Sequence, residues 1–397
     1  MISLIPNRPC WVEISTRTLE DNYRSLAKLA NPHANLLAIV KANAYGHSLA
    51  ICGPAAVRAG AGWLGVTSVE EGVEARRCCP DARILVISGV FPNQGEDVVR
   101  NKLTAVIWDP WQFDLLEEAA RSLRVRSISI HLEIDTGMSR QGVQPDAIVP
   151  LLARFGRDFP LRMEGVLTHL FAADEADGHV TEDQLSRLND VLITIKSAGI
   201  HPGILNVGNS AALLAGNASA ISKLASRFEM KALMRPGLTL YGLVPEYDPK
   251  FQAAEPISLG QARVGLRPIL SWKSQIVSVR SVEPGTVVGY NGTFVASEPM
   301  RIALVAVGYA DGLDRKLGNR FSLLVQGQRA PIIGRISMDQ TVIDVTEIPE
   351  AAPGDEVVLI GRQGDDSISA FDHAKAAGTI PWEIFTRISS RVPRIEI

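Results

Sequence analysis

Between residue 36 and about residue 235, short apolar runs alternate with amphipathic stretches. The runs "LLAIVK", "WLGVTS", "RILVIS", "LTAVIWD", "SISIHLEID", "LRMEGVLTHL", "ILNVG" and "KALMRPG" read as strands. Between them lie helical patterns such as "VEEGVEARRCC", "PWQFDLLEEAARSL" and "TEDQLSRLNDVLITIKSAG". In the last, Leu185, Leu188, Leu192 and Ile195 share one helical stripe, and Thr181 with Gln184 has the spacing of a capping box. Eight strands with helices between them, over roughly 200 residues, predict parallel pairing and a (β/α)8 barrel. A doubly wound open sheet is the runner-up, but no GxGxxG turn supports it.

After "LYGLVPEYDPKFQAAEPISLGQARVG" the texture changes. Short β-rich runs ("ILSWKSQIVSVRSV", "TVVGY", "RIALVAVGY", "APIIGRISM", "QTVIDV", "EVVLIG") are punctuated by Pro284-Gly285 and Pro353-Gly354, and the tail "SISAFDHAKAAGTIPWEIFTRIS" reads as helical. The expected organisation is therefore α/β: a barrel over residues 1–247 followed by a mostly β domain over 248–397. Residues 1–14, with the strand "PCWVEIS", can pair with the second domain.

The chain has 397 residues, 46% of them hydrophobic and 21% charged, which is ordinary globular composition with ample core for two domains. A net charge of -3 gives no electrostatic case for nucleic acid or an anionic membrane. Cysteines at 10, 52, 78 and 79 show no CxxC metal spacing, no other metal site is expected, and reduced, mostly buried thiols in a cytoplasmic protein are the simplest reading. The start "MISLIPNRPCWVEIS" carries no secretory signature, and no apolar stretch has membrane-spanning length.

A (β/α)8 barrel places its chemistry on the loops that follow the strands. Lys41 and Tyr45 follow the first barrel strand, Glu133, Asp135 and Arg140 the fifth, His169 the sixth, Asn209 and Ser210 the seventh, and Arg235 the eighth. Each has a plain alternative. A strand-end lysine is usually solvated, His169 can be a hydrogen-bonded core residue, "GNS" a helix cap, and Arg235 an ion-pair partner. Their convergence on one rim favours chemistry, and a lysine there can condense with a carbonyl cofactor.

The motifs "AIVKANAYGH", "EIDTGMSRQG", "THLFAADE", "VGNSAA", "MRPGLTLYG", "VGYADG" and "GRISMDQ", in this order and spacing, resemble the alanine racemases. The resemblance runs from near the N-terminus to "RVPRI". It implies pyridoxal 5'-phosphate held on Lys41 as an aldimine. Tyr45, Ser210 and the amides of Gly237 and Leu238 would meet the phosphate, with Asn209 and His169 also in the cofactor site. Arg140 would contact the cofactor and the substrate carboxylate, and Arg235 the pyridine nitrogen. Tyr290 and Lys41 would be the two opposite-face bases. A free tyrosine titrates near ~10, so Tyr290 would need positive charge nearby, with His169 and Arg235 linked to it. The resemblance further implies a homodimer in which Tyr290, Met338 and Asp339 reach the partner's barrel, Met338 offering its amide to the substrate carboxylate. Tyr309 and Arg315 match residues of the substrate entrance.

Two positions depart from the family pattern. Glu133 stands where a carbamylated lysine is common, and a carboxylate there could support Arg140. Ser390 stands where many members have a phosphate-binding tyrosine. The expected activity is interconversion of L- and D-alanine, for peptidoglycan precursors or alanine catabolism. A broader racemase acting on serine or larger side chains is the alternative. A barrel decarboxylase would need a carboxylate in place of Arg235, and a barrel-only cofactor carrier would lack the second domain.

Overall fold

A computed structural model of the chain describes residues 8–156, 158–173, 178–244 and 265–397. The expected boundary at 247/248 lies outside the described residues. The chain divides into two compact units, one of Arg17–Ala44 and Leu49–Pro268, the other of Met1–Thr16, Tyr45–Ser48 and Ile269–Ile397.

The strands in chain order begin with β1 (Cys10–Ile14), β2 (Asn35–Ile39), β3 (Trp63–Val66), β4 (Arg83–Val86), β5 (Thr104–Ile107), β6 (Ile128–Glu133), β7 (Leu161–Leu167), β8 (Ile204–Asn206) and β9 (Lys231–Met234). Strands β2 to β9 pair in parallel, each with the next, and β2 closes on β9 through Asn35–Leu233 and Leu36–Met234. All eight expected runs are these strands. Their residues are buried almost without interruption, because helices cover the outside and side chains fill the inside. Gly165 on β7 is required by that filling. A Cβ there would meet the ring of His131 on β6 at 2.7 Å. Burial holds the His131 imidazole neutral, its pKa pushed down to about 3.

The helix expected to begin with a Thr181–Gln184 capping box starts earlier, at His179, with Gly178 as its cap and no side-chain cap bond. Gln184 is occupied elsewhere. Its amide donates to Thr136 Oγ1 and His169 O (both 3.0 Å) and its oxygen accepts from the Phe171 amide (3.2 Å). The helix therefore ties together the loops that follow β6 and β7.

The second unit contains β1 and, from residue 270, β10 (Leu270–Val282), β11 (Val287–Val288), β12 (Phe294–Val295), β13 (Met300–Val305), β14 (Ser322–Val325), β15 (Gln328–Pro331), β16 (Thr341–Asp344), β17 (Glu356–Gln363), β18 (Asp366–Ile368) and β19 (Arg394–Glu396). Long β10 is the spine of its sheet, antiparallel to β1, β13 and β17, and β1 also pairs in parallel with β19. The helical tail is two helices, Ala370–Ala377 and Pro381–Arg387, because Gly378 takes a left-handed φ of 71° and Pro381 starts afresh. No helix among the described residues is long and apolar enough to cross a membrane.

The Gly165–His131 contact is testable. Gly165→Ala should destabilise the protein by about 1–3 kcal/mol, the usual cost of overpacking, in urea unfolding. An unchanged midpoint would show that the barrel interior can yield there.

Candidate active site

The loops after the barrel strands gather most of the expected residues. Lys41 follows β2 after one residue, and the chain then makes a left-handed turn: Ala42, Asn43, Ala44 and Tyr45 have φ of 50°, 50°, 57° and 53°. Left-handed backbone costs about 1–2 kcal/mol per non-glycine residue, so the turn needs outside support. Glu71, on the helix Val69–Cys78, supplies it by accepting from the amides of Asn43 (3.1 Å) and Thr67 (2.8 Å). The Asn43 side chain in turn accepts from the Leu49 amide at 2.7 Å. Lys41 is thereby held where burial, followed by the charge of Arg140, lowers its pKa. A less protonated amine is a better nucleophile toward a carbonyl.

Arg235 is 5% exposed. Its guanidinium donates to Asn206 O (2.7 Å), Asn206 Oδ1 (2.6 Å) and Thr168 O (2.9 Å). Burial lowers its pKa only to about 10, so it keeps its charge at neutral pH. His169 Nδ1 lies 3.2 Å from the Arg235 guanidinium, which has only protons to offer. That contact assigns Nδ1 as acceptor and puts the ring proton on Nε2. Burial first, then Arg235, Arg140 and Lys41, push His169 down to about 3. The histidine is neutral, and the positive charge expected around it comes from the arginines and the lysine.

On the seventh barrel strand's loop, Asn209 is the N-cap of the helix Ser210–Leu214, accepting from the Ala212 amide (3.0 Å) and donating to Leu170 O (3.1 Å). The cap reading and the site reading are both compatible with this position. Ser210 Oγ accepts from the Gly237 amide (2.9 Å) and from Thr239 Oγ1 (3.0 Å). With both acceptor positions filled, its own proton is left to donate outward. Leu238 opens the 3-10 turn Leu238–Tyr241, whose first amides lack partners within the turn. The phenol of Tyr45 is pushed up to about 12 by burial.

Asp135 shapes the loop that carries Arg140. Burial opposes its charge, but the amides of Ser139 and Gly137 and the side chain of Gln144 outweigh that and lower its pKa. Glu133 is 2% exposed and accepts from Gln141 Nε2 at 2.6 Å, and the same nitrogen donates to Ile87 O at 3.0 Å. Glu133, Gln141, Arg140 and His169 line one narrow crevice without room for a water molecule. Burial raises the Glu133 carboxyl to about 7, against the pull of Gln141 and of the charges on Arg235 and Arg140. Gln141, Asn206 and Glu71 are polar groups that motif reading passed over. Asn206, a lone amide within a buried strand, was the one that could have been noticed.

The remaining expected residues belong to the other unit. Tyr290 is 69% exposed, in a 3-10 turn, and Met338 is 53% exposed. Tyr309, Asp339, Arg315 and Ser390 are also exposed. Among the described residues no group of His, Cys, Asp and Glu is arranged to hold a metal ion.

A lysine of lowered pKa, a buried arginine and a hydroxyl with its proton free to donate fit a phosphorylated aldehyde with a ring nitrogen. The barrel rim is thus that of a pyridoxal-phosphate-type enzyme acting on amino acids. A family model for the alanine racemase N-terminal domain matches residues 14–245, and one for the alanine racemase C-terminal domain matches residues 269–396. The alanine racemase of Symbiobacterium thermophilum is 38% identical over 98% of this chain and 97% of its own. The solved alanine racemase of Streptomyces lavendulae has a TM-score of 0.86 at 32% identity, covering 99% of this chain and 98% of that one. The alanine racemase of Bartonella henselae, solved with covalently bound pyridoxal phosphate, has a TM-score of 0.79 at 26% identity, covering 98% of this chain and 99% of that one. The chain belongs to the alanine racemase family. It is an isomerase that interconverts L- and D-alanine with pyridoxal phosphate, and the similarities do not favour broader specificity.

The Glu133 environment predicts a pH effect. A carboxyl raised from its ordinary 4.5 to about 7 stays protonated in the fold while the unfolded chain ionises. Stability from this group is full below about pH 4.5 and is lost as pH rises through 7. In cofactor-free protein, Glu133→Gln should therefore gain on wild type between pH 5 and 8, by at most about 3 kcal/mol. A difference in urea midpoint that does not change with pH would contradict this.

Proposed function

We propose that racemisation proceeds with Lys41 and Tyr290 as proton carriers on opposite faces of the substrate Cα. The observation that carries this reading is the lowered pKa of Lys41 beside a charged, buried Arg235 and a neutral His169. When bound, pyridoxal phosphate acidifies the Cα–H of the amino acid attached to it by spreading the charge left behind. Lys41 would hold the cofactor covalently, and Ser210, Tyr45 and the amides of Gly237 and Leu238 would hold its phosphate, with Asn209 capping the Ser210 helix. Gly237 already donates to Ser210 Oγ, so the hydroxyl is the better-oriented donor of the pair.

Arg235, always charged at working pH, would donate to the ring nitrogen and keep it unprotonated, which limits charge delocalisation and favours prompt return of a proton to Cα. Once substrate displaces it, Lys41 is an amine poised to take or return a proton on one face. Tyr290 would serve the other. Its exposure in the single chain supports a place in the barrel of a partner subunit, so that a homodimer shares its sites. Arg140 and the Met338 amide would bind the substrate carboxylate. Glu133, tied to Gln141 beside Arg140, would support the loop that carries Arg140, and Asp339, Tyr309 and Arg315 would line the entrance. Ser390 would leave the phosphate without a tyrosine contact. D-alanine made in the cytoplasm for peptidoglycan, or L-alanine recovered from D-alanine in catabolism, is the role this activity serves.

Borohydride treatment of the loaded enzyme should fix the cofactor to the peptide bearing Lys41. A label on another lysine would remove Lys41 from its role. Tyr290→Phe should lose at least about 100-fold in turnover, the lower range for a positioned acid–base group, while still binding cofactor. Mixing Lys41→Ala with Tyr290→Phe protein and allowing subunits to exchange should restore activity through one intact site per heterodimer. Confirmed exchange without recovery would rule out sites shared in this way.

A further inference from the structure

Asp311 is fully buried in the second unit. Arg8 grips both of its carboxylate oxygens, and Oδ2 also accepts from the Gly308 amide at 2.9 Å. A second guanidinium approaches from the other side, with Arg391 Nε 3.1 Å from Asp311 Oδ1. The far end of that guanidinium, Nη2, lies 2.5 Å from Oδ1 of Asp339, a residue exposed to solvent. Arg391 thus joins a buried anchor to the residue that follows Met338.

The turn carrying Met338 is held by its backbone on one flank. The Tyr309 and Ala310 amides donate to Ser337 O and Met338 O (both 3.0 Å), and Ser337 N donates to Gln340 O at 3.0 Å. Gly308 permits this approach, since a Cβ there would lie 2.3 Å from Met338 O. On the other flank the Asp339 side chain bonds to Arg391. Among the described residues the Met338 amide itself donates to no protein acceptor. A turn with its carbonyls tied down, and with the amides of Met338, Asp339 and Gln340 lacking acceptors among the described residues, is suited to a carboxylate ligand.

We propose that Arg391 is a positioning residue for substrate binding: braced on Asp311, it holds Asp339 and so fixes the turn that presents the Met338 amide to the alanine carboxylate. This rests on the reading of Met338 as the substrate-carboxylate donor. Arg391 suits the task because its planar fork reaches two carboxylates at once, which a lysine ammonium on a flexible stem does not reproduce.

The test is a double-mutant cycle of Arg391→Met and Asp339→Ala in the holoenzyme, read as KM and kcat for both alanine enantiomers. Amide hydrogen exchange of residues 336–340 in cofactor-free protein is measured alongside. Each single change should raise KM by about 3–10-fold, in the range of one ordinary hydrogen bond because the brace acts indirectly, with kcat affected less and exchange of the turn accelerated. The double variant should be no worse than either single one. Arg391→Lys should not rescue, whereas Asp339→Asn, which keeps an acceptor oxygen, should recover part of the loss seen with Asp339→Ala. Multiplicative losses in the double variant would overturn the proposal. So would an Arg391→Met protein that melts earlier but keeps its KM and its exchange rates, since Arg391 would then serve only Asp311. Faster exchange in both variants with KM unmoved would show that the brace exists but the turn does not bind substrate. That result would retire the Met338 reading, and the substrate role of Arg391 with it.

Discussion

A guanidinium that stays charged inside a barrel imposes conditions on everything around it. Arg235 loses its water, so Asn206 and the Thr168 carbonyl must accept its hydrogen bonds. Its charge, together with burial, keeps His169 neutral and helps lower the Lys41 pKa. It also limits how far the burial of Glu133 can raise that carboxyl. An uncompensated buried charge costs far more than any one of these hydrogen bonds supplies. The surrounding polar groups are therefore part of the cost of placing a permanent cation inside the barrel.

The second unit solves a different problem. Its exposed Tyr290 and Met338 stand on short turns set by backbone contacts, with little side-chain packing around them. Residues as open as these gain no rigidity from burial of their own. Rigidity has to come from beneath, from groups such as Asp311 and the close approach that Gly308 allows.

Much of this was legible in the residues. The eight barrel strands stood out because burial on both faces leaves continuous apolar runs, and the ends of those runs pointed to Lys41, His169 and Arg235. Strands β12, β14, β18 and β19 were passed over, being too short to show a pattern, and Ser367 and Ile368 of β18 stood inside the run read as helical. The Thr181–Gln184 pattern was locally sound, but Gln184 serves two neighbouring loops instead. Glu71 and Gln141 carry no local signature, since each acts through a partner brought close only by the fold. Tyr290, Met338 and Asp339 had no pattern of their own and were reached through family resemblance alone.

The left-handed turn after Lys41 bears on how this stretch can change over generations. Left-handed backbone suits few residues other than glycine, and Ala44 is fully buried. The turn is held by Glu71, 28 positions along the chain, so its two halves depend on each other. A drift in either one would displace the lysine while leaving the barrel intact. Under the role proposed for Lys41, such a lineage would keep a well-folded protein and lose its chemistry, which makes these few residues a point where function is more fragile than fold.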